Sequence, residues 1–408
     1  MKEVKIKTKF NGEDRYKILL VLVWTRTILT SYVYQMLLRL PIINLMADGI
    51  KAAVYIVATI FALDVILKRQ KIGDVIFGIA FIAGYFVNID MFPKSQVYLM
   101  DNAVKILCIA VPAYYIGTSM DKDEYIDLLY KWSRICLCAI FVYFVIFGFK
   151  AEAGRPEAEN MGVAYRILPH LVTVLLYTLN EKRKSDIILS AIGLVLLLAC
   201  GTRGPVIGIV AFLVFYIVLF YHSKQKWLIV GILAAISILM MVNIEILINP
   251  LISILEHFGF STRVVNALLA GEISNDNGRN EIALTMMNML RANNYKAFGL
   301  AGDRNIVSWM AYSHNIILEL WISFGLQAGT IIFGVLCFII LRAIFFANYQ
   351  EKGFIISLFF GGSFFKLFFT SSFLLEYQFF FLIGYCICVI RERKKGGKEK
   401  DNEDRVLY

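Results

Sequence analysis

The feature that most limits how this chain can fold is a series of long apolar blocks, such as those at 205–221 and 227–248. A helix needs about 20 apolar residues to cross the ~30 Å hydrocarbon core of a bilayer. Inside that core the backbone has to satisfy its own hydrogen bonds, which favours helices. Hydrophobic residues make up 59% of the 408 residues and charged residues only 18%, unlike in a typical soluble domain. The sequence therefore predicts an all-α integral membrane protein.

Hydropathy divides the chain into about 12 transmembrane helices. The tenth is longer than a bilayer requires, so it is either tilted or begins as a helix outside the hydrocarbon. The predicted spans are 16–37, 49–67, 72–91, 97–117, 133–149, 163–179, 186–201, 205–221, 227–247, 314–341, 353–372 and 375–390.

Positive charges are concentrated in every second connection between these spans. The net charge of +10 could suggest a nucleic-acid partner, but basic residues that flank apolar blocks are typical of membrane orientation instead. Both termini are therefore predicted to be cytoplasmic, and no nucleic acid is expected. The basic segments on this side are 68–71, 122–134, 182–184, 224–226, 342–352 and 391–400.

The domain organisation follows from one long connection on the other side of the membrane. Residues 1–248 contain spans one to nine, and residues 249–313 form a partly helical extracytoplasmic loop. Residues 314–391 contain the last three spans. Residues 392–408 form a charged, glycine-containing cytoplasmic tail whose composition predicts disorder.

Four arginines on the predicted outer side are candidates for binding an anion. Arg203 interrupts an apolar hairpin at 201–205, and Arg279 lies in the long outer loop. Arg155 lies in a shorter outer loop, and Arg166 lies just inside the following span. A guanidinium group is always charged, and its planar fork of donors suits phosphate oxygens. Each could instead be a snorkelling or loop arginine without a ligand.

A polar segment opens the predicted tenth span on the same side. Ser313 could cap the helix there, which would place His314, Asn315 and Glu319 on neighbouring helix faces. A histidine near a helix N-terminus is biased towards its neutral form by the helix dipole and could act as a base. The alternative is a structural polar network at a helix start. Glu319 lies deeper, where a carboxylate needs a partner.

Four segments, in their order along the chain, resemble the O-antigen polymerase and ligase family, which includes the polymerases of surface and capsular polysaccharides. The resemblance covers mainly residues 190–345, with the single large outer loop. The last segment ends in Gly325 and Gly329, whose spacing predicts close helix packing. The four segments are 201–204, 278–279, 298–302 and 313–329.

This resemblance implies a multispanning glycosyltransferase with a GT-C-like fold, acting on the outer face of the bacterial plasma membrane. Its donors would be undecaprenyl-diphosphate-linked oligosaccharides, used without a metal or cofactor. Arg203 and Arg279 would hold the donor diphosphate, and His314 would accept the proton of the acceptor hydroxyl. Asn315 and Glu319 would orient His314 or the sugar, and the anomeric centre would invert. A flippase and a chain-length regulator would be partner proteins.

Three other functions remain open from the sequence. A ligase would transfer finished glycan to another acceptor with the same charges. A transporter or lipid-linked sugar flippase would line a central path with charge and contain two similar halves, but no internal repeat is visible. A membrane scaffold would carry out no chemistry. Polymerisation of lipid-linked repeats is the function that the sequence favours.

Overall fold

A computed structural model describes residues 12–28, 71–147, 157–200, 202–220, 278–305 and 312–406, with isolated positions between 57 and 69 and at 231. The regular structure of these residues is helical. Short 3-10 turns occupy Pro93–Ser95, Gly302–Asn305 and Phe365–Phe368, and a π-helical turn, Ile106–Ala110, joins α3 to α4. The helices are α1 (Gly12–Ile28), α2 (Ile72–Met91), α3 (Gln96–Lys105), α4 (Val111–Thr118), α5 (Asp123–Phe147), α6 (Glu157–Glu181), α7 (Lys184–Ala199), α8 (Arg203–Phe220), α9 (Arg279–Ala292), α10 (Ile316–Phe324), α11 (Leu326–Phe346), α12 (Tyr349–Phe360) and α13 (Tyr377–Val406).

Five of the described helical stretches are long and apolar enough to cross a membrane. A further apolar stretch, Gly204–Phe220, is shorter. The chain is therefore a multi-pass helical membrane protein, as its apolar blocks predict. The predicted spans at 49–67 and 227–247 lie outside the continuously described residues, so the total of about 12 spans remains a prediction. The five stretches are Ile72–Met91, Pro93–Thr118, Asp123–Val145, Gly162–Glu181 and Leu326–Phe346.

Ion pairs gather several helix termini at one end of the molecule. Lys122, just before α5, is 2.8 Å from Glu13 in the first turn of α1. Arg393 in α13 is 3.3 Å from Glu351 in the first turn of α12. We call the end that contains these residues the basic end, because the basic connections of the described chain lie here. The first turn of α1 and the later part of α13 therefore share one end of the helical bundle.

The connections at the other end, which we call the opposite end, are also joined by direct contacts. The backbone N–H of Leu300 donates to the side-chain oxygen of Asn88, at 2.8 Å. The side-chain amide of Asn305 donates to the hydroxyl of Ser95, at 3.0 Å. These bonds fasten the 278–305 segment, which belongs to the predicted outer loop, to the turn between α2 and α3.

α12 is too short to cross a bilayer as a helix and stops short of the opposite end. A capping box formed by Asn348 and Glu351 starts this helix, which has only 12 residues, a length of roughly 18 Å. It ends at Gly361, where an added Cβ would lie 3.2 Å from the Cα of Pro169 within α6. Gly362 has φ +112°, a conformation that favours glycine. The predicted helical span at 353–372 is therefore wrong in its second half, because these glycines turn the chain into an irregular segment, 361–376.

The predicted tenth span, 314–341, is divided into two helices. α10 has 9 residues, too few to cross a bilayer, and α11 is the candidate span. Gly325 joins them with φ +82°. A Cβ on Gly329 would lie 2.6 Å from the carbonyl oxygen of Leu320, so α11 packs closely on α10 there. The close packing predicted from the glycine spacing is confirmed at Gly329, whereas Gly325 is the break between the helices.

The last helix extends further than the sequence suggests. α13 continues through the charged segment to Val406, although residues 392–408 are predicted to be disordered. Lysine and glutamate are good helix formers. A helix also propagates more easily from an existing apolar helix than it nucleates alone. The structure therefore differs from the prediction over most of this tail.

Candidate functional site

The first component of the site is the N-terminus of α8. Arg203 is the first residue of this helix, and its side chain lies outside what the structure describes. An added Cβ on Gly204 would lie 2.2 Å from the hydroxyl oxygen of Tyr165 in α6. The hydroxyl of Thr202 is buried without a hydrogen-bond partner among the described residues. The turn that precedes α8 is thus held against Tyr165, at the opposite end.

The second component is Arg279, the first residue of α9. Gly278 precedes it with φ +78°, and the helix starts at Arg279. α9 packs on α10 through Met286, Leu318 and Ile322, which form a small apolar cluster. This packing places the start of α9 beside the segment that contains His314. No ion pair joins Arg279 to another residue that the structure describes.

The third component is a tight turn at 312–315, before α10. His314 has φ +51°, which is uncommon for a residue with a side chain. Asn315 caps α10 by accepting a hydrogen bond from the N–H of Ile317, at 2.9 Å. The N–H of Ser313 donates to a carboxylate oxygen of buried Asp303, at 3.0 Å. The prediction that Ser313 caps the helix and that His314 lies within it is therefore wrong, because Asn315 takes the capping position.

A stack of aromatic and cationic groups surrounds His314. The ring of Tyr312 lies against the imidazole, with centroids 3.7 Å apart. The guanidinium of Arg304 lies 4.3 Å from the centre of the Tyr312 ring and 5.0 Å from that of Tyr98. Cations over aromatic rings are attracted to the ring face. Arg304 is therefore held in place beside the histidine by two tyrosines.

The surroundings of His314 keep its imidazole neutral. Burial, together with the positive charges of Arg279 and Arg304, lowers the pKa of His314 from 6.5 to about 4. The Nδ1 atom is buried and has no hydrogen-bond partner among the described residues. At neutral pH the imidazole is thus unprotonated, and the two guanidinium charges that lower its pKa make it a weaker proton acceptor unless a bound anion offsets them.

Glu319 lies on the side of α10 that faces segment 361–376. Its carboxyl group accepts hydrogen bonds from the hydroxyl of Ser372 and from the N–H of Phe373, the latter at 3.1 Å. Burial raises the pKa of Glu319 to about 8, and the nearby carboxylate of Asp303 contributes to the increase. Because its two oxygens bind 372–373, Glu319 anchors this segment. Its role in orienting His314 or the sugar stays a prediction.

Segment 361–376 forms a wall of the same site. Its Lys366 is paired with Glu376, and the Lys366 ammonium lies 5.1 Å from the centre of the Tyr165 ring. The hydroxyl of Thr370 is 2.8 Å from the hydroxyl of Tyr312. These contacts connect the wall to the Gly204 turn through Tyr165 and to His314 through Tyr312.

The predicted site residues are thus distributed unevenly. Arg279 and His314 lie together, and the backbone of Arg203 lies beside Tyr165, which is itself within electrostatic range of Arg279. Arg166 lies at the same end, half-buried and without an ion pair to another described residue. Arg155 lies outside the described residues.

Several residues of the site were missed by sequence reasoning. Arg304 lies two residues after the glycine-rich segment 298–302, and this position was the available signal. Lys366 interrupts an apolar run within a predicted span, which is a general indication of function in membrane helices. Tyr165 and Tyr312 gave no signal, because isolated tyrosines are common at membrane boundaries.

The fold and this cluster define a class of protein: a multi-pass helical membrane protein with a cationic, histidine-containing site at the end away from its basic connections. Comparisons of the chain with protein-family models, with curated proteins and with solved structures found no match.

Proposed function

We propose that the protein is a glycosyltransferase that polymerises undecaprenyl-diphosphate-linked oligosaccharide repeats into a surface or capsular polysaccharide. The observation that supports this most directly is the position of His314, which lies with Arg279 and Arg304 at one end of the bundle. A neutral base beside fixed cations fits a reaction in which a proton is removed and an anion departs. The order of sequence motifs around Arg203, Arg279 and His314 supports the same reading.

The proposed reaction is a single displacement. The acceptor hydroxyl oxygen attacks the anomeric carbon of the donor sugar, and its proton passes to the imidazole of His314. The bond between that carbon and the diphosphate oxygen breaks, and the electron pair stays on the diphosphate. Arg203, Arg279 and Arg304 stabilise the charge that develops there. The anomeric centre inverts, and no metal is required for this charge balance.

The positive-inside rule provides the proposed orientation. Basic connections face the cytoplasm in membrane proteins, so the basic end would be cytoplasmic and the opposite end would face outward. The residues that form the site all lie at the opposite end. The site would thus face the outer side of a bacterial plasma membrane, where lipid-linked repeats are presented for assembly.

The decisive experiment uses purified full-length protein in lipid nanodiscs with one lipid-linked repeat unit extracted from the host. A ladder of products that differ by one repeat supports polymerisation. Transfer of a single finished chain to another acceptor supports a ligase instead. If the wild-type protein forms no new glycosidic bond with either set of substrates, the proposal is wrong.

A cellular experiment separates the enzyme from a flippase. An Arg203→Ala strain should accumulate unpolymerised repeats on the outer face of the membrane, since delivery is intact. Accumulation on the inner face would indicate a flippase. Unchanged polysaccharide length in a His314→Ala strain would indicate a scaffold without chemistry.

A further inference from the structure

Segment 361–376 contains a charged pair that the proposed displacement does not use. The side chains of Lys366 and Glu376 are paired and only 17% and 9% exposed. A largely buried pair is costly to remove from water and is weak grounds for stability. Ionisable groups within membrane proteins more often belong to substrate sites. The pair therefore needs a functional explanation.

The pair adjoins the cationic site through two tyrosines. Lys366 lies over the ring of Tyr165 at 5.1 Å, and that ring carries the hydroxyl that contacts Gly204. The hydroxyl of Ser371 donates to Glu376 at 3.3 Å, and the N–H of the same residue donates to the hydroxyl of Tyr312 at 3.2 Å. One residue thus connects Glu376 to the tyrosine that stacks on His314.

The arginine-containing site and the Lys366–Glu376 pair differ in net charge, and this difference suits two different ligands. Arg279 forms no ion pair with another described residue, so none of these residues neutralises its charge. Lys366 is neutralised by Glu376, so this region has little excess charge to attract a phosphate. It does offer a strong donor, a strong acceptor and a tyrosine ring, the groups that bind the hydroxyls and the apolar face of a neutral sugar.

We propose that Lys366 and Glu376 form the acceptor subsite, in which they bind hydroxyl groups of the incoming sugar while Tyr165 contacts its ring. This inference rests on the proposed function and extends it to the second substrate. Donor diphosphate and acceptor sugar are then held on different residues, the donor by the arginines and the acceptor by the wall 361–376. The acceptor hydroxyl is delivered beside His314.

The test varies the two substrates separately. Protein in nanodiscs receives the lipid-linked repeat as donor and, as acceptor, a soluble oligosaccharide cut from the host polysaccharide, which carries no diphosphate. For Lys366→Met and Glu376→Gln we expect the acceptor KM to rise about 10-fold, as for one or two lost hydrogen bonds. The donor KM should stay within about 2-fold of wild type, because the arginines are untouched.

A matched control removes a buried pair at the basic end. Asp74, whose side chain is 2% exposed, pairs with Arg391. Asp74→Asn should lower the melting temperature without changing either KM, since this pair lies far from the site. If Lys366→Met does not fold, Glu376→Asp retains both charges and shortens the reach of the carboxylate. It should still raise the acceptor KM.

The inference is overturned if the acceptor KM of these variants stays within about 2-fold of wild type, or if both KM values rise together. Equilibrium binding of the soluble oligosaccharide to wild type and Glu376→Gln, measured by calorimetry without donor, provides a readout that needs no turnover. Equal binding by the two proteins also overturns it. If the wild-type protein makes no polymer at all, the proposed function fails. If the wild-type protein makes polymer and Glu376→Gln keeps the wild-type acceptor KM, only this inference fails.

Discussion

Tyr312 stacks on the imidazole of His314, at a centroid distance of 3.7 Å, and its hydroxyl is bonded to both Thr370 and Ser371. Tyr312→Phe retains the ring but removes the bonds to the wall, so we expect the transfer rate to fall by about 10-fold through misplacement of the base. The melting temperature should fall by only a few degrees, as for lost hydrogen bonds of about 1–3 kcal/mol.

Tyr312→Ala is the comparison variant for Tyr312→Phe, because it also removes the ring. It should reduce the rate further and lower the melting temperature more. Initial rates and thermal unfolding of the same preparations provide the measurement. A Tyr312→Phe enzyme with the wild-type rate would show that the hydroxyl does not position His314.

The pKa of His314 should respond to the two arginines near it. Their charges disfavour the imidazolium form, so Arg279→Gln and Arg304→Gln should each raise the pKa from about 4 towards its ordinary value of 6.5. NMR titration of protein labelled with 15N-histidine measures this, and the spectrum of His314→Gln assigns the signal. Burial is the largest cause, so the pKa should stay below 6.5 even in the double variant.

Arg166→Gln is the control for this titration. Arg166 is another half-buried arginine at the same end, but its charge is not among those that affect His314. Its loss should leave the titration unchanged. A midpoint that moves equally in Arg166→Gln and in Arg304→Gln would show that the general field of the protein, and not the two neighbours, lowers this pKa.

Glu319 should make the folded protein less stable as the pH rises. Its folded pKa of about 8 lies above its ordinary value of 4.5, so the fold binds a proton that the unfolded chain releases. The resulting stability is fully present below pH 4.5 and is lost progressively up to about pH 8. The melting temperature of wild type should therefore decrease across this window, and that of Glu319→Gln should decrease less.

Glu319→Ala separates the effect of the bound proton on stability from the effect of the hydrogen bonds. It removes the acceptor for Ser372 and Phe373 and should cost roughly 1–3 kcal/mol below pH 4.5, and the cost relative to wild type should shrink as the pH rises towards 8. Thermal unfolding as a function of pH for the three proteins makes the comparison. Parallel curves for wild type and Glu319→Gln would contradict the raised pKa.

The contact between Gly204 and Tyr165 can be tested by rescue. Gly204→Ala places a methyl group 2.2 Å from the tyrosine hydroxyl oxygen, so the start of α8 has to shift and the transfer rate should fall by about 10-fold. Adding Tyr165→Phe removes that oxygen and leaves the nearest ring carbon at 3.2 Å. The double variant should therefore recover most of the rate.

Gly334→Ala is the matched control, because an added Cβ at this position in α11 meets nothing within 4 Å. Alanine is the better helix former by about 1 kcal/mol, so this variant should be as active as wild type and slightly more stable. If Tyr165→Phe fails to restore the Gly204→Ala rate, the contact does not position the α8 turn.

Apolar block length predicted the helical membrane class and the positions of helices such as α2 and α8. The same signal could not locate the irregular segments. The residues of α10 and α11 form one apolar run in the sequence. The break between the two helices depends on the backbone conformation of a single residue, Gly325. Segment 361–376 is equally apolar in sequence. It can adopt an irregular backbone because it is enclosed by protein, where non-helical backbone is tolerated at membrane depth.

The site was predictable where charge stands out in an apolar sequence. Arg279 and His314 were identified in this way and lie together. Arg304 was missed because it lies among other charges in the outer loop, and its importance comes from two rings that approach from distant parts of the chain. Glu319 was identified, but its hydrogen bonds to Ser372 and Phe373 were not predicted, since spacing on a helix cannot show which neighbouring segment faces it.

The short α12 affects how the protein keeps ions from crossing the membrane. α12 contributes only roughly 18 Å of helix between the two ends, and the irregular backbone of segment 361–376 occupies the remaining distance. Tightly packed phenylalanines occupy this position: the rings of Phe359 and Phe364 are stacked with centroids 5.2 Å apart, and Phe364 also contacts Phe379 at 5.9 Å. Because Phe364 is only 1% exposed, we expect these rings to prevent ions from crossing beside the short helix, so Phe364→Ala should make vesicles leak protons.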